Sequence, residues 1–131
     1  MPESECGYDN LIAGPGVFRT VPVIVKAGTG VIRRGMVLGV VKQLSNDEGR
    51  LRSGEYLVRP VDSTSSDGSQ YPFAILEDLE VDATNYNVRA TGYVSGEFNR
   101  AALVFGGNDT VATHEEALRK IGIITKRVIV R

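Results

Sequence analysis

Residues 20–44 read TVPVIVKAGTGVIRRGMVLGVVKQL, in which short apolar runs alternate with glycine turns. Valines recur at every second position of Val21–Val25, as in a half-buried strand. The turn at Ala27–Gly30 ends this strand, and Met36–Leu44 is a valine-rich apolar run typical of a buried strand. Pro22 lacks a backbone donor and favours an edge position for the first strand. The stretch therefore predicts a β-rich fold.

Further strands follow outside this stretch. They are predicted at Glu55–Val61, Phe73–Leu79, Val88–Val94 and Ile123–Val130. Polar or turn-forming stretches separate them, at Asn46–Gly54, Asp62–Gln70 and Asp82–Asn87. Gly92 and Gly96 indicate a bulge or a close approach of two backbones. The chain is predicted to be mainly β, a small barrel or sandwich of short strands.

One helix is predicted in the C-terminal region. Thr113 is a typical N-cap, and Glu116 three residues later completes a capping box. Acidic residues near its start and basic residues near its end suit the helix dipole. Gly122 ends it. A shorter helical turn is predicted at Arg100–Leu103.

The first nineteen residues have neither the strand period nor the helix period. Prolines and glycines punctuate them, so they cannot bury a core of their own. We therefore divide the chain into a flexible, extended N-terminal arm, residues 1–19, and a single domain, residues 20–131. The arm keeps apolar anchors that a solvated tail would not need, so we expect it to contact a partner and to stay outside the core. The candidate contact residues are Leu11, Ile12, Val17, Phe18 and Arg19.

Charge and composition narrow the class of partner. The 131 residues carry a net charge of -1, which argues against a nucleic-acid partner. Residues 1–20 hold three acidic residues and one arginine, a net charge of −2. Residues 113–131 hold five basic residues and two glutamates, a net charge of +3. The basic end is either a solvated helix and tail or an edge that meets an acidic partner surface.

The compartment is indicated by what the sequence lacks. Cys6 is the single cysteine, so no intrachain disulfide can form. The polar, acidic N-terminus does not resemble a secretory signal, and no apolar run is long enough for a membrane-spanning helix. We expect synthesis in the cytoplasm of the producing cell and no membrane partner.

Side chains suited to catalysis are few. His114, the one histidine, is expected to be an exposed residue of the first helical turn, because a zinc site needs several suitably spaced ligands. An acidic cluster is either a solvated strand end or a metal or acid–base site. It comprises Glu77, Asp78, Glu80 and Asp82. No nucleophile elbow or phosphate-binding loop occurs. We expect no catalytic residue, no metal and no cofactor.

Four short motifs occur in order along the chain. They are DGS at 67–69, FAILED at 73–78, VDA at 81–83 and YVSGEFN at 93–99, followed by Ala102–Leu103, Phe105–Gly106 and the predicted helix over 113–121. Over residues 20–131 their order and spacing resemble the lambda-type phage head decoration protein family. The Gln43–Gly54 loop is long for that family, and the first twenty residues match it only in kind.

The resemblance implies a β-clip-like domain without catalytic activity that forms homotrimers. Such proteins sit at threefold positions on the outer surface of the expanded capsid and stabilise it against the pressure of packaged DNA. The resemblance also implies that the N-terminal arm, flexible in the free protein, becomes ordered against the major capsid protein. The expected location is the virion.

Two other classes stay open. Ile24–Gly28 and Gly35–Leu38 also resemble the opening hairpin of the SAF-type β-clip domain, a binding module for carbohydrates or an accessory domain of enzymes. An enzyme on the same scaffold, such as a trimeric nucleotide hydrolase, would need active-site motifs with carboxylates for magnesium. Thermal melting with nucleotides, sugars and divalent ions distinguishes these classes, because a decoration protein should respond to none of them.

Overall fold

The computed structural model describes residues 10–14, 16–43 and 55–127. The strands are β1 (Arg19–Val25), β2 (Gly30–Arg33), β3 (Val37–Gln43), β4 (Tyr56–Pro60), β5 (Ala74–Leu76), β6 (Glu80–Ala83), β7 (Val88–Asn99) and β8 (Ile123–Lys126). A 3₁₀ turn, Arg100–Ala102, and one α-helix, α1 (Val111–Lys120), lie between β7 and β8. Three earlier points fall outside the described residues: Cys6, the predicted loop over 46–54, and residues 128–130 of the last predicted strand. Within the described ranges no helix is long and apolar enough to span a membrane.

Five strands close into a small barrel. Their order is β1-β4-β3-β5-β7, and β7 pairs with β1 to complete the ring. β1 runs antiparallel to β7, with Val23 opposite Ala90, and parallel to β4, with Val23 opposite Tyr56. β8 pairs in parallel with the second half of β7, and β2 and β6 form a separate two-stranded sheet. The prediction of a mainly β fold with a small barrel and one helix near the C-terminus is confirmed.

Apolar side chains join the barrel to the elements outside it. One core cluster combines Val23 of β1 with Ile32 and Val81 of the two-stranded sheet. A second cluster contains Leu118 of α1 and Ile123 of β8, both fully buried. Complete burial of such a side chain contributes about 1.5–3 kcal/mol. The helix and the last strand are therefore held on the barrel by their apolar faces.

The environment of Pro22 differs from the prediction. β1 lies within the barrel, so the edge position expected from this proline is wrong. Pairing between β1 and β4 begins at Val23. Pro22 is tolerated because no β4 partner requires the backbone donor that proline lacks.

Several strand limits also differ from the sequence pattern. β2 and β6 were not predicted, since each has only four residues and depends on the other for pairing. The strand predicted at Phe73–Leu79 is confined to Ala74–Leu76. β7 continues well past Val94, because Gly96 adopts a φ of +139° and remains within the strand. The predicted close approach at Gly92 is present, since a Cβ there would lie 2.9 Å from the Ala74 Cβ.

α1 begins earlier than predicted. Its N-cap is Thr110, and Thr113 occupies the third helical position. The backbone N–H of Thr110 donates to the Thr113 hydroxyl oxygen at 3.1 Å, so this threonine takes the role expected of Glu116. Glu116 forms an ion pair on the exposed helix face instead. Gly122 follows the helix end with a φ of +96°, as the predicted stop requires.

Candidate functional site

The candidate contact residues lie in the N-terminal segment, defined here as residues 10–19 and described except at position 15. The segment runs beside the second half of β7. The Leu11 carbonyl accepts a hydrogen bond from the Asn99 N–H at 2.7 Å. The Ala13 N–H donates to the Glu97 carbonyl at 2.9 Å. The segment is therefore paired with the barrel through its backbone.

Leu11 belongs to the core, and the half-buried Phe18 packs against it. The Leu11 side chain is 3% exposed and packs in the cluster that contains Phe98. The Phe18 ring meets the rings of Tyr93 and Phe98 edge-on, with centroids 5.9 and 5.5 Å away. A Cβ on Gly96 would lie 2.3 Å from the Phe18 ring, so glycine leaves the space that the ring fills. The expectation that the arm stays outside the core is wrong for Leu11, which non-local contacts bury, and the half-buried Phe18 packs against the same cluster.

The other three candidate residues lie at the surface. Ile12 is 39% exposed, Val17 is 73% exposed, and Arg19 is also exposed. The Ser95 side chain holds the backbone of Val17 and Arg19. Its hydroxyl donates to the Val17 carbonyl at 3.0 Å and accepts from the Arg19 N–H at 3.2 Å. Contact with a partner stays a prediction for all five candidate residues.

An open groove lies next to Val17. It is lined by Ser95–Glu97 of β7 and by the turn that joins α1 to β8. Ile121 and Ile124 also line it and are 43% and 37% exposed. β8 is the last strand in the sheet order, and among the described residues it pairs only with β7. The free edge and the apolar lining are features that can receive an extended peptide.

His114 is buried, so the expectation of an exposed helix residue is wrong. Its side chain is 4% exposed, and Nε2 lies 2.6 Å from a carboxylate oxygen of Asp109. Ser63 donates to the same carboxylate through its hydroxyl at 2.6 Å and its backbone N–H at 2.7 Å. Phe105 stacks on the imidazole with centroids 5.6 Å apart. Asp109, which precedes the helix cap, and His114, in the first turn of the helix, are thus joined by one buried hydrogen bond.

The Asp109 carboxyl group is kept ionised by its neighbours. Burial raises its pKa, but the hydrogen bonds from Ser63 and His114 outweigh burial and bring the pKa below the ordinary value of 3.8. The serine hydroxyl donates to Asp109, whereas a catalytic serine would donate to the histidine base. This geometry ties α1 to the turn after β4 and does not activate a nucleophile.

The predicted acidic cluster does not converge on one point. Asp78 accepts a hydrogen bond from a β7 backbone N–H at 2.9 Å. Glu80 pairs with Arg33 across the two-stranded sheet at 3.1 Å. Asp82 accepts a hydrogen bond from the hydroxyl of a threonine two residues later. Within the part of the chain that the structure describes, no group of three histidine, cysteine or acidic side chains is placed to hold a metal ion.

Sequence reasoning missed the residues that receive the N-terminal segment. These are Ser95, Gly96 and Glu97, which lie within the YVSGEFN motif. The motif is the signal that could have found them. However, Ser95 is 76 positions from Arg19, so no local pattern connects the two partners.

A small closed barrel that carries a paired N-terminal segment and an open groove partly lined by apolar side chains has the features of a structural binding module. A family model for bacteriophage lambda head decoration protein D matches residues 3–124. The chain therefore belongs to this family, which confirms the resemblance. The match begins nearer the N-terminus than the resemblance did, and it ends at residue 124. No curated protein matches the chain significantly.

Proposed function

We propose that this chain binds the outer surface of the expanded phage head as a homotrimer and stabilises the head against the pressure of packaged DNA. Family membership supports the decoration role. The partner is the major capsid protein, the place is the outside of the virion, and synthesis takes place in the host cytoplasm. The observation that carries the proposal is the N-terminal segment, which the barrel holds beside the open groove.

The N-terminal region supplies the capsid contact in this proposal. Ile12, Val17 and Arg19 are exposed and assigned to direct contact. The buried Leu11 and the half-buried Phe18 are assigned to holding the segment. The nine residues before Asn10 add reach, because an extended chain of that length spans at most about 30 Å. That distance is sufficient to meet a neighbouring capsid subunit.

The energetics favour a multivalent attachment. Ordering an extended segment costs on the order of 1–2 kcal/mol per residue, so a single segment binds weakly. Pairing with the edge of a capsid sheet offsets part of this cost through main-chain hydrogen bonds. A trimer presents three segments at once, and the effective concentration of the second and third raises the overall affinity by orders of magnitude.

We propose no catalytic role and no cofactor. The family is one of structural capsid proteins. The hydrogen bonds of Ser63, Asp109 and His114 are accounted for by the attachment of α1 to the barrel.

Co-sedimentation with capsids tests the function. The full chain is mixed with expanded and with unexpanded empty capsids, and bound protein is measured in the pellet and by electron microscopy. We expect binding to expanded capsids, density at threefold positions, and no binding to unexpanded ones. Failure of the full chain to bind expanded capsids would contradict the decoration role. Density for single copies on the capsid would contradict the trimer.

Two variants test the N-terminal contact in the same assay. One lacks residues 1–9, and its matched control replaces those residues with a glycine–serine sequence of equal length. Both keep the described segment, so both should melt at the temperature of the full chain. We expect both to bind expanded capsids much more weakly. Saturation of capsids by either variant at the concentration that the full chain needs would show that residues 1–9 do not make the contact.

A further inference from the structure

Glu97 has surroundings that the decoration role does not explain. Its side chain lies on β7 and is 25% exposed, yet its Oε1 atom is buried. Lys126 of β8 places its Nζ atom 2.6 Å from this oxygen. Among the described residues no donor is oriented to hydrogen-bond with Oε1. The charge of Lys126 is therefore what stabilises this buried oxygen.

Two glycines of the N-terminal segment lie against this side chain. A Cβ on Gly14 would come within 2.0 Å of Glu97 Oε1, and a Cβ on Gly16 would come within 3.1 Å of its Cγ. Neither glycine has a positive φ. A side chain at either position would therefore meet the Glu97 side chain, which would have to shift.

The contact connects three elements that are distant in sequence. Glu97 also accepts the Ala13 N–H through its backbone carbonyl. The neighbouring Ser95 holds the backbone of Val17 and Arg19. The carboxylate of Glu97 and the ammonium of Lys126 thus sit between these two backbone attachments and join the N-terminal segment to β7 and β8.

We propose that Glu97, held by Lys126, is a positioning residue that anchors the N-terminal segment on β7 and so fixes the point from which the preceding chain reaches the capsid. This inference rests on the proposed function for its last step. The segment does not peel away on binding, because that would expose the buried Leu11 and the packed face of the Phe18 ring to water. Only the chain before Asn10 and the outward side chains are then available to the capsid.

A double-mutant cycle tests the anchor in the free protein. Glu97→Ala removes the carboxylate, and Gly14→Ala adds a methyl group where the carboxylate lies. The clash involves the mobile end of a side chain, so Gly14→Ala displaces Glu97 from Lys126 without preventing folding. Hydrogen exchange of the Ala13 amide reports whether the segment is docked.

We expect each single variant to speed exchange of the Ala13 amide by about two- to fivefold, the scale of a partly exposed ion pair. The double variant should exchange no faster than Glu97→Ala alone, because the added methyl group then meets no carboxylate. Glu116→Ala is the matched control, since it removes an exposed carboxylate paired with Arg119 and should leave the exchange unchanged. Additive effects, or no effect of either single variant, would overturn the anchor.

Capsid sedimentation of the same variants tests the last step. If the anchor presents the chain to the capsid, Glu97→Ala should bind expanded capsids several-fold more weakly at an unchanged melting temperature. Raised salt should weaken capsid binding by the full chain toward the same level. Faster exchange with unchanged capsid binding would overturn the positioning role. If the full chain itself fails to bind capsids, the decoration role fails while the exchange result still decides the anchor.

Discussion

Replacement of Leu11 by alanine tests whether the N-terminal segment is part of the folded barrel. The side chain is 3% exposed and packs in the cluster that holds Phe98 and Ile123. It also reaches the turn between β2 and β3, where a Cβ on Gly35 would lie 3.7 Å from Leu11 Cδ1. Leucine-to-alanine changes in a core cost about 2–5 kcal/mol. Since the segment is near a chain end and can relax, we expect a loss of about 2–3 kcal/mol.

Urea-induced unfolding measures this loss, with both proteins at one concentration because assembly would add a mass-action term. Ile12→Ala is the matched control, since Ile12 is the adjacent residue and is 39% exposed. We expect the control to lose less than about 1 kcal/mol, because only partial burial is removed. The denaturant dependence should stay the same in all three proteins. Equal losses for the two variants would refute the assignment of Leu11 to the core.

Three further predictions concern the barrel and its helix. Because folding lowers the pKa of Asp109, its carboxylate contributes stability that is present above pH 3.8 and is lost as the pH falls below it. Asp109→Asn should therefore be less stable than the unchanged protein at pH 7, and its free energy of unfolding should fall less on acidification. Urea unfolding between pH 7 and pH 3 measures both effects. His114→Ala should cost about 2–4 kcal/mol in the same assay, because it removes a buried ring and leaves Asp109 without one partner. Gly92→Ala should cost about 1–3 kcal/mol and lower the melting temperature, since the new methyl group has no space beside Ala74; an unchanged melting temperature would show that β5 and β7 separate readily.

The strands that could be predicted are those whose own residues carry the pattern. The alternating valines of β1 and the apolar run of β3 are local features, and both strands are where the sequence indicates. β2 and β6 were missed because four residues cannot establish a period. Their pairing, with Ile32 opposite Val81, exists only once the barrel brings the two segments together.

The packing of the N-terminal segment could not be predicted from the sequence. Apolar residues in a segment without a period indicated a contact with a partner, which stays a prediction. The contact of Gly14 and Gly16 with Glu97 could not be predicted, because a glycine has no side chain that would indicate its partner. His114 was misjudged for a related reason: its burial depends on Asp109 and on the distant Ser63, which supply the polar partners that a buried imidazole needs.

The closure of the barrel by its first and seventh strands constrains how the chain can fold. Arg19 and Ser95, which are joined across that seam, are 76 positions apart in the chain. A ribosome must therefore release most of the polypeptide before β1 meets β7, and until then the edges of β1 and β5 that pair with β7 are exposed to other chains. Folding dominated by such distant pairings takes roughly milliseconds to seconds, far longer than helix formation. Newly made copies would be most vulnerable to aggregation during this interval, at the concentrations that head assembly demands.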